Sequence, residues 1–176
     1  TGSPFTIVAG EIEGDSRSVS TTIPGLAEML SVGDELFLAD GAILLNVTAI
    51  SGADVVTNVV RGATLRSGKG LFVPGAEQRI DTWTGRDEIA FASAEKMKAD
   101  FIGLSFVRSS DDVRMVLARL PKKGPRPKLV AKIETRASLG NLAEIIEVAD
   151  AVMVARGDLG IQVDIARVPL LQKEII

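Results

Sequence analysis

With 176 residues, 46% of them hydrophobic, the chain can bury the core of one ordinary domain or two small ones, and a formal charge of −3 leaves no basic excess of the kind that tracks a phosphate backbone. It has neither cysteine nor histidine, which excludes disulfides, thiolate nucleophiles and zinc–thiolate sites and leaves acid–base work to Lys, Asp, Glu or water. No apolar run approaches the roughly 18 residues of a membrane span and the first residues lack the order of a signal peptide, so a cytoplasmic protein is expected, with neither nucleic acid nor membrane as partner.

The chain starts at Thr1 without an initiator Met and stops at Ile175-Ile176 inside an amphipathic pattern, so a fragment of a longer protein is expected. From Phe5 to about Val73 short β-rich runs alternate with turn residues: Phe5 to Ala9, Val19 to Ile23, Glu35 to Ala39, Ile43 to Ile50 and Val55 to Val60. Asp40-Gly41 predicts a type I′ hairpin turn, because Asp and Gly tolerate the positive φ such a turn demands, and Ser51-Gly52 marks a second turn. These five strands predict a small all-β barrel or sandwich over residues 1–76, joined through a hinge at Pro74 to Arg79 to a second domain over 77–176.

After Pro74-Gly75 strands alternate with helices, the pattern of a parallel sheet covered by helices. Thr84 with Asp87 resembles a capping box opening a helix through about Lys98, and a strand from Asp100 to Val107 follows. Ser109 with Asp112 is expected to cap a second helix, with Val113, Val116, Leu117 and Leu120 as its buried stripe and Pro121 as its stop. Leu129 to Ile133 is the next strand, Leu142, Ile145, Ile146 and Ala149 the next stripe, and Ala151 to Ala155 the third strand. Asp164 is expected to cap a last helix buried through Val168, Leu171 and Ile175. Strand ends near Ser105, Lys132 and Asp158 recur roughly every 26 residues, which suits three units of a (β/α)8 barrel, too few to close one.

Polar residues gather where the strands finish, as active groups do in parallel α/β folds. Lys132 and Glu134 close one strand in KLVAKIET, and Arg156 and Asp158 the next in AVMVARGDLG. Adjacent strands lie about 4.8 Å apart, so Glu134 and Asp158 are candidates to share one divalent cation, Mg2+ by preference, with solvated loop charges or structural ion pairs as the alternative. Gly157 lets a ligand approach the backbone, where adjacent N–H groups hold an anion. Arg156-Gly157-Asp158 also spells an integrin-binding tripeptide, a reading that its place behind a buried strand disfavours. Ser67-Gly68-Lys69-Gly70 is not a phosphate-binding P-loop, since Gly70 stands where Ser or Thr is needed, but Lys69 remains a point charge able to meet a nucleotide phosphate.

The segments GKGLFVPG, DFIGLSFVRSSDDV, KIET and VMVARGDLG, in this order, resemble pyruvate kinase over essentially the whole chain. The resemblance implies a fold class of α/β, a partial (β/α)8 (TIM) barrel with an inserted small all-β lid domain. It implies transfer of a phosphoryl group from phosphoenolpyruvate to ADP, giving pyruvate and ATP, with Mg2+ and, in the complete enzyme, K+, and a homotetrameric assembly. On that resemblance Lys132 neutralises charge on the transferring group, and Ser105 positions Lys132. Glu134 and Asp158 bind Mg2+, the Gly157 and Asp158 amides hold the substrate carboxylate, and Lys69 touches the nucleotide phosphates. The sequence departs from the family at Phe72, at Thr135 after KIE, and at Ala39-Asp40-Gly41. Barrel strands that supply further ligands in the family have no counterpart in this stretch, so the fragment by itself is expected to be inactive. The alternatives are a metal-dependent pyruvate-enolate lyase on a related barrel, or a non-catalytic truncated product.

Overall fold

Two sheets organise the chain, each in its own compact unit, Thr1–Ile80 and Asp81–Ile176. The computed structural model describes residues 1–75, 83–122 and 124–176. Most of the expected hinge, and the expected boundary at residue 76, lie outside the described residues.

The first unit contains β1 (Pro4–Val8), β2 (Ser18–Ser20), β3 (Glu35–Leu38), β4 (Ile43–Ser51), β5 (Asp54–Arg61) and β6 (Leu71–Phe72), with a short 3-10 turn at Leu26–Met29. Their order is β2-β1-β5-β4-β3-β6 in a single sheet. Among the described residues the first unit therefore has six strands where five were expected, and they form one sheet, not a two-sheet sandwich. The short β6, hydrogen-bonded along β3, was beyond the reach of a periodicity argument, and β2 pairs with β1 in parallel. Strict alternation aims Leu36 and Leu38 inward opposite Leu45 and Ile43 of the neighbouring strand, and all four are buried. Each such side chain contributes roughly 1.5–3 kcal/mol on leaving water. The Asp40-Gly41 turn forms as expected: φ is 59° at Asp40 and 81° at Gly41, and the Ala42 N–H donates to the Ala39 carbonyl at 3.1 Å.

In the second unit β7 (Phe101–Leu104), β8 (Lys128–Ile133) and β9 (Ala151–Val154) form a parallel sheet in chain order. The helices are α1 (Gly85–Lys96), α2 (Ser110–Leu117), α3 (Arg136–Gly140), α4 (Leu142–Val148), α5 (Arg156–Gln162) and α6 (Val168–Ile175). The chain is thus α/β. Leu129, Ala131 and Ile133 point to one face of the central strand and are fully buried in the same core as Val113, Val116 and Ile145.

Several local signals act as read. Thr84 and Asp87 make both halves of a capping box at α1, and Asp164 accepts from the Ala166 N–H in the 3-10 turn Ile165–Arg167 that leads into α6. Others are corrected. Ser109 makes no side-chain cap at α2; Asp112 instead accepts the Arg108 backbone N–H and pairs with the Arg108 guanidinium. Ile146 faces solvent at 44% exposure, leaving Ile145 as the fully buried anchor of α4. The third strand stops at Val154, so Arg156, Gly157 and Asp158 lie in the first turn of α5 and not on a strand end.

Candidate functional site

β8 ends at Ile133, and period-two alternation turns Lys132 to the face opposite the Leu129, Ala131 and Ile133 side chains. Register places Lys132 beside Met153 of β9, and the lysine stem passes Gly103 of β7, its Cδ 3.9 Å from where a Gly103 Cβ would be. The ammonium donates to Ser105 Oγ at 2.8 Å, one residue beyond β7, and lies 3.0 Å from Glu134 Oε2. Ser105, Lys132 and Glu134 thus form one contiguous polar group across two adjacent strand ends.

Glu134 is 1% exposed, whereas the Lys132 side chain keeps 23% of its surface open. Burying a carboxylate is costly unless its oxygens find positive or hydrogen-bonding partners. Oε1 has one, the Phe106 backbone N–H. Oε2 has the ammonium charge nearby but no aligned hydrogen bond, and it is a buried polar atom in that state. Thr135 follows, almost wholly buried. It caps α3 by accepting the Ser138 N–H at 3.0 Å, and its hydroxyl donates to the Val107 carbonyl at 2.9 Å, tying the exit of β8 to the exit of β7.

The next strand presents its residues differently. Asp158 is exposed, and Gly157 faces open space, with no atom within 4 Å of a Cβ built there. The Arg156, Gly157 and Asp158 amides belong to the first turn of a helix, where N–H groups lack intrahelical acceptors. The helix is fastened at its far end: the Arg136 guanidinium donates to the Gln162 carbonyl at 2.7 Å, and Gln162 Oε1 accepts the Arg136 N–H at 3.3 Å. The structure therefore brings Ser105, Lys132 and Glu134 together and leaves Gly157 and Asp158, in the first turn of α5, without a hydrogen bond or ion pair to them among the described residues. Among the described residues no group of three or more acidic side chains converges on a point.

Lys69 belongs to the first unit, where it forms an ion pair with Asp40 at 3.3 Å, both side chains well exposed. Phe106 and Thr135 are the residues at the strand ends that sequence reasoning did not assign a local role. No sequence signal announces Phe106, since a left-handed backbone is unusual for a bulky residue; the Thr-to-Ser spacing of 135 and 138 did offer a capping signal.

A further ion pair stands at the opposite ends of the same strands. Arg126 grips Asp150 at 2.7 and 3.0 Å, and Asp150 also accepts the Leu129 N–H. The Arg126 hydrogen bonds, with the Leu129 N–H adding to them, hold the Asp150 carboxyl below the usual carboxylate range. The same pairing raises the arginine. This end also carries an open cleft of about 710 Å³, lined by Lys98, Phe101, Arg126 and Lys128, and it does not include Lys132 or Glu134.

Among the described residues no helix is long and apolar enough to cross a membrane. Residues 5–176 match the family described as pyruvate kinase, barrel domain. The chain is 38% identical over its entire length to a pyruvate kinase of Corynebacterium efficiens, covering 37% of that protein. It is 37% identical over 99% of its length to pyruvate kinases of Thermotoga maritima and Thermococcus litoralis, covering 38% and 37% of them. The chain therefore spans well under half the length of these relatives.

Proposed function

The chain belongs to the pyruvate kinase family, and from that premise we propose that it supplies part of the apparatus that transfers a phosphoryl group from phosphoenolpyruvate to ADP, giving pyruvate and ATP. In this reading residues 77–176 are three consecutive units of a (β/α)8 barrel and residues 1–76 the inserted lid. The remaining barrel strands and the homotetramer belong to the complete enzyme, which is cytoplasmic.

The observation that carries the proposal is the Ser105–Lys132–Glu134 chain, with contacts of 2.8 and 3.0 Å, at the carboxyl ends of two parallel strands. Phosphoryl transfer needs little covalent chemistry from a protein and depends mainly on fixed charge and position. Ser105 holds the Lys132 ammonium, which neutralises charge that grows on the phosphoryl and enolate oxygens. The first-turn N–H groups of Gly157 and Asp158 donate to the substrate carboxylate. Lys69 meets the nucleotide phosphates, giving up its exposed and therefore weak pairing with Asp40.

A divalent cation fits the residues present. Glu134 keeps a buried oxygen with no aligned donor, Asp158 is an exposed carboxylate in the first turn of the helix that follows the adjacent strand, and all-oxygen donors of this kind suit Mg2+. Glu134 and Asp158 would hold it, and bound there it would polarise substrate oxygens and offset developing negative charge. The K+ of the complete enzyme has no ligands assigned in this stretch.

The test is pyruvate formation from phosphoenolpyruvate and ADP, with and without Mg2+. The full-length protein is expected to turn over only with the cation, and the 176-residue chain alone to bind Mg2+ weakly without turnover. A full-length protein inactive on these substrates would refute the reading; turnover by the chain alone would refute the claim that strands beyond it are required.

A further inference from the structure

Phe106 interrupts β7's exit in a way its sequence does not suggest. An extended continuation would keep residues 104 and 106 on one face. Instead Leu104 and Val107 are buried while Phe106, between them, is 61% exposed. Its φ is 55°, in the left-handed region that a bulky side chain adopts only at a cost. Nothing in the packing repays that cost through the aromatic ring, which faces solvent. The return is at the backbone: the Phe106 N–H donates to Glu134 Oε1.

We infer that the left-handed backbone at Phe106 is a positioning device for the metal-binding carboxylate, fixing Oε1 of Glu134 so that Oε2 alone is presented to a divalent cation. The inference rests on the cation reading above and deepens it. A buried carboxylate with two free oxygens can rotate to give both to the neighbouring ammonium, closing the site on itself. With Oε1 held by a main-chain donor, that rotation is blocked, and Oε2 stays 3.0 Å from Lys132 with its hydrogen-bonding capacity unused. What matters at position 106 is then the backbone conformation and its N–H, not the ring. Side chains should rank by their tolerance of positive φ and not by size or hydrophobicity.

The experiment is Mn2+ titration of the full-length protein, followed by electron paramagnetic resonance, for Phe106→Val, Phe106→Asn, Phe106→Gly, Phe106→Ala and Glu134→Gln. Circular dichroism and the unfolding midpoint serve as checks on folding. Val, β-branched and the poorest fit to positive φ, should weaken Mn2+ binding about tenfold. Asn and Gly, which accept this conformation, should stay within about threefold of the parent although neither resembles Phe. If Val prevents folding, the Ala and Gly variants carry the test: Gly should bind about fivefold more tightly than Ala, and equal affinities would overturn the inference. A folded Val variant with parental affinity, beside a Glu134→Gln variant that has lost Mn2+, would overturn the role of Phe106 and leave the cation reading intact. Unchanged affinity in Glu134→Gln would overturn the cation reading and this inference with it.

Discussion

Among the described residues are two lysine–carboxylate pairs of nearly equal length in opposite settings. Lys69 and Asp40 meet at 3.3 Å on the surface of the first unit, with side chains 44% and 69% exposed. Lys132 and Glu134 meet at 3.0 Å at the strand ends of the second, with the carboxylate 1% exposed. The first pair is cheap to form and nearly worthless to stability, because water and salt screen it. The second takes a carboxylate out of water, and its attraction does little better than offset that cost. Distance alone does not distinguish them. A buried pair whose carboxylate oxygen still lacks a directed donor is a poor way to stabilise a fold and a suitable way to keep charge ready for a ligand.

The sharpest way to break this contrast is through the core that supports the buried pair. Ile133→Ala, in the fully buried residue between Lys132 and Glu134, should cost about 2–5 kcal/mol through lost transfer energy and an unfilled cavity. Hydrogen exchange should show protection falling across β7, β8 and β9 while the amides of β3, β4 and β5 keep theirs; an equal fall in both sheets would mean that the two units do not unfold separately. In the first unit the corresponding buried polar residue is Thr57, whose hydroxyl donates to the Phe5 carbonyl at 2.7 Å. Thr57→Val should cost about 1–2 kcal/mol, measured by urea unfolding, because the shape is kept and a hydrogen bond is lost.

Acid offers a finer comparison within the second unit. The Asp150 carboxyl, lowered by Arg126 and by the Leu129 N–H, contributes stability that is fully present above its unfolded value near 4 and is lost as pH falls through its lower folded value. Unfolding measured from pH 6 to pH 3 should therefore show a loss that Asp150→Asn reduces. An identical acid profile in the variant would remove this pair from the account of acid stability. The smallest effect is expected at the surface: Asp40→Asn should change stability by less than about 1 kcal/mol, and added salt should erase the difference.

What was legible in the sequence is what local chemistry decides. Asp40-Gly41 makes its turn because both residues accept positive φ, and the Thr84–Asp87 spacing makes its capping box within one helical turn. The parallel order of the three strands followed from helices alternating with apolar runs. Tertiary contacts decided the rest. Two glycines in RGDLGIQ argue against a helix, yet α5 forms there, with Leu159 fully buried and its end clipped to Arg136. That helix moves Asp158 off the strand end on which the sequence had set it. The pairing of Ser105 with Lys132 joins residues 27 apart in the chain and entered the sequence reading only through the family resemblance. The left-handed turn at Phe106 had no local signal at all.

The central claim is that the half-buried Lys132 is held for chemistry and not for the fold, and Lys132→Met in the full-length protein tests it most directly. In the proposed reaction the ammonium acts on charge that grows toward the transition state, so its loss should lower kcat by about 10²–10³ while raising the phosphoenolpyruvate KM much less. Glu134, still fixed by the Phe106 N–H, should continue to bind Mg2+. The measurement is kcat, KM and Mg2+ affinity on the same preparation. A collapse of kcat with cation affinity retained is the predicted result, and near-normal kcat would contradict the account by removing Lys132 from the mechanism.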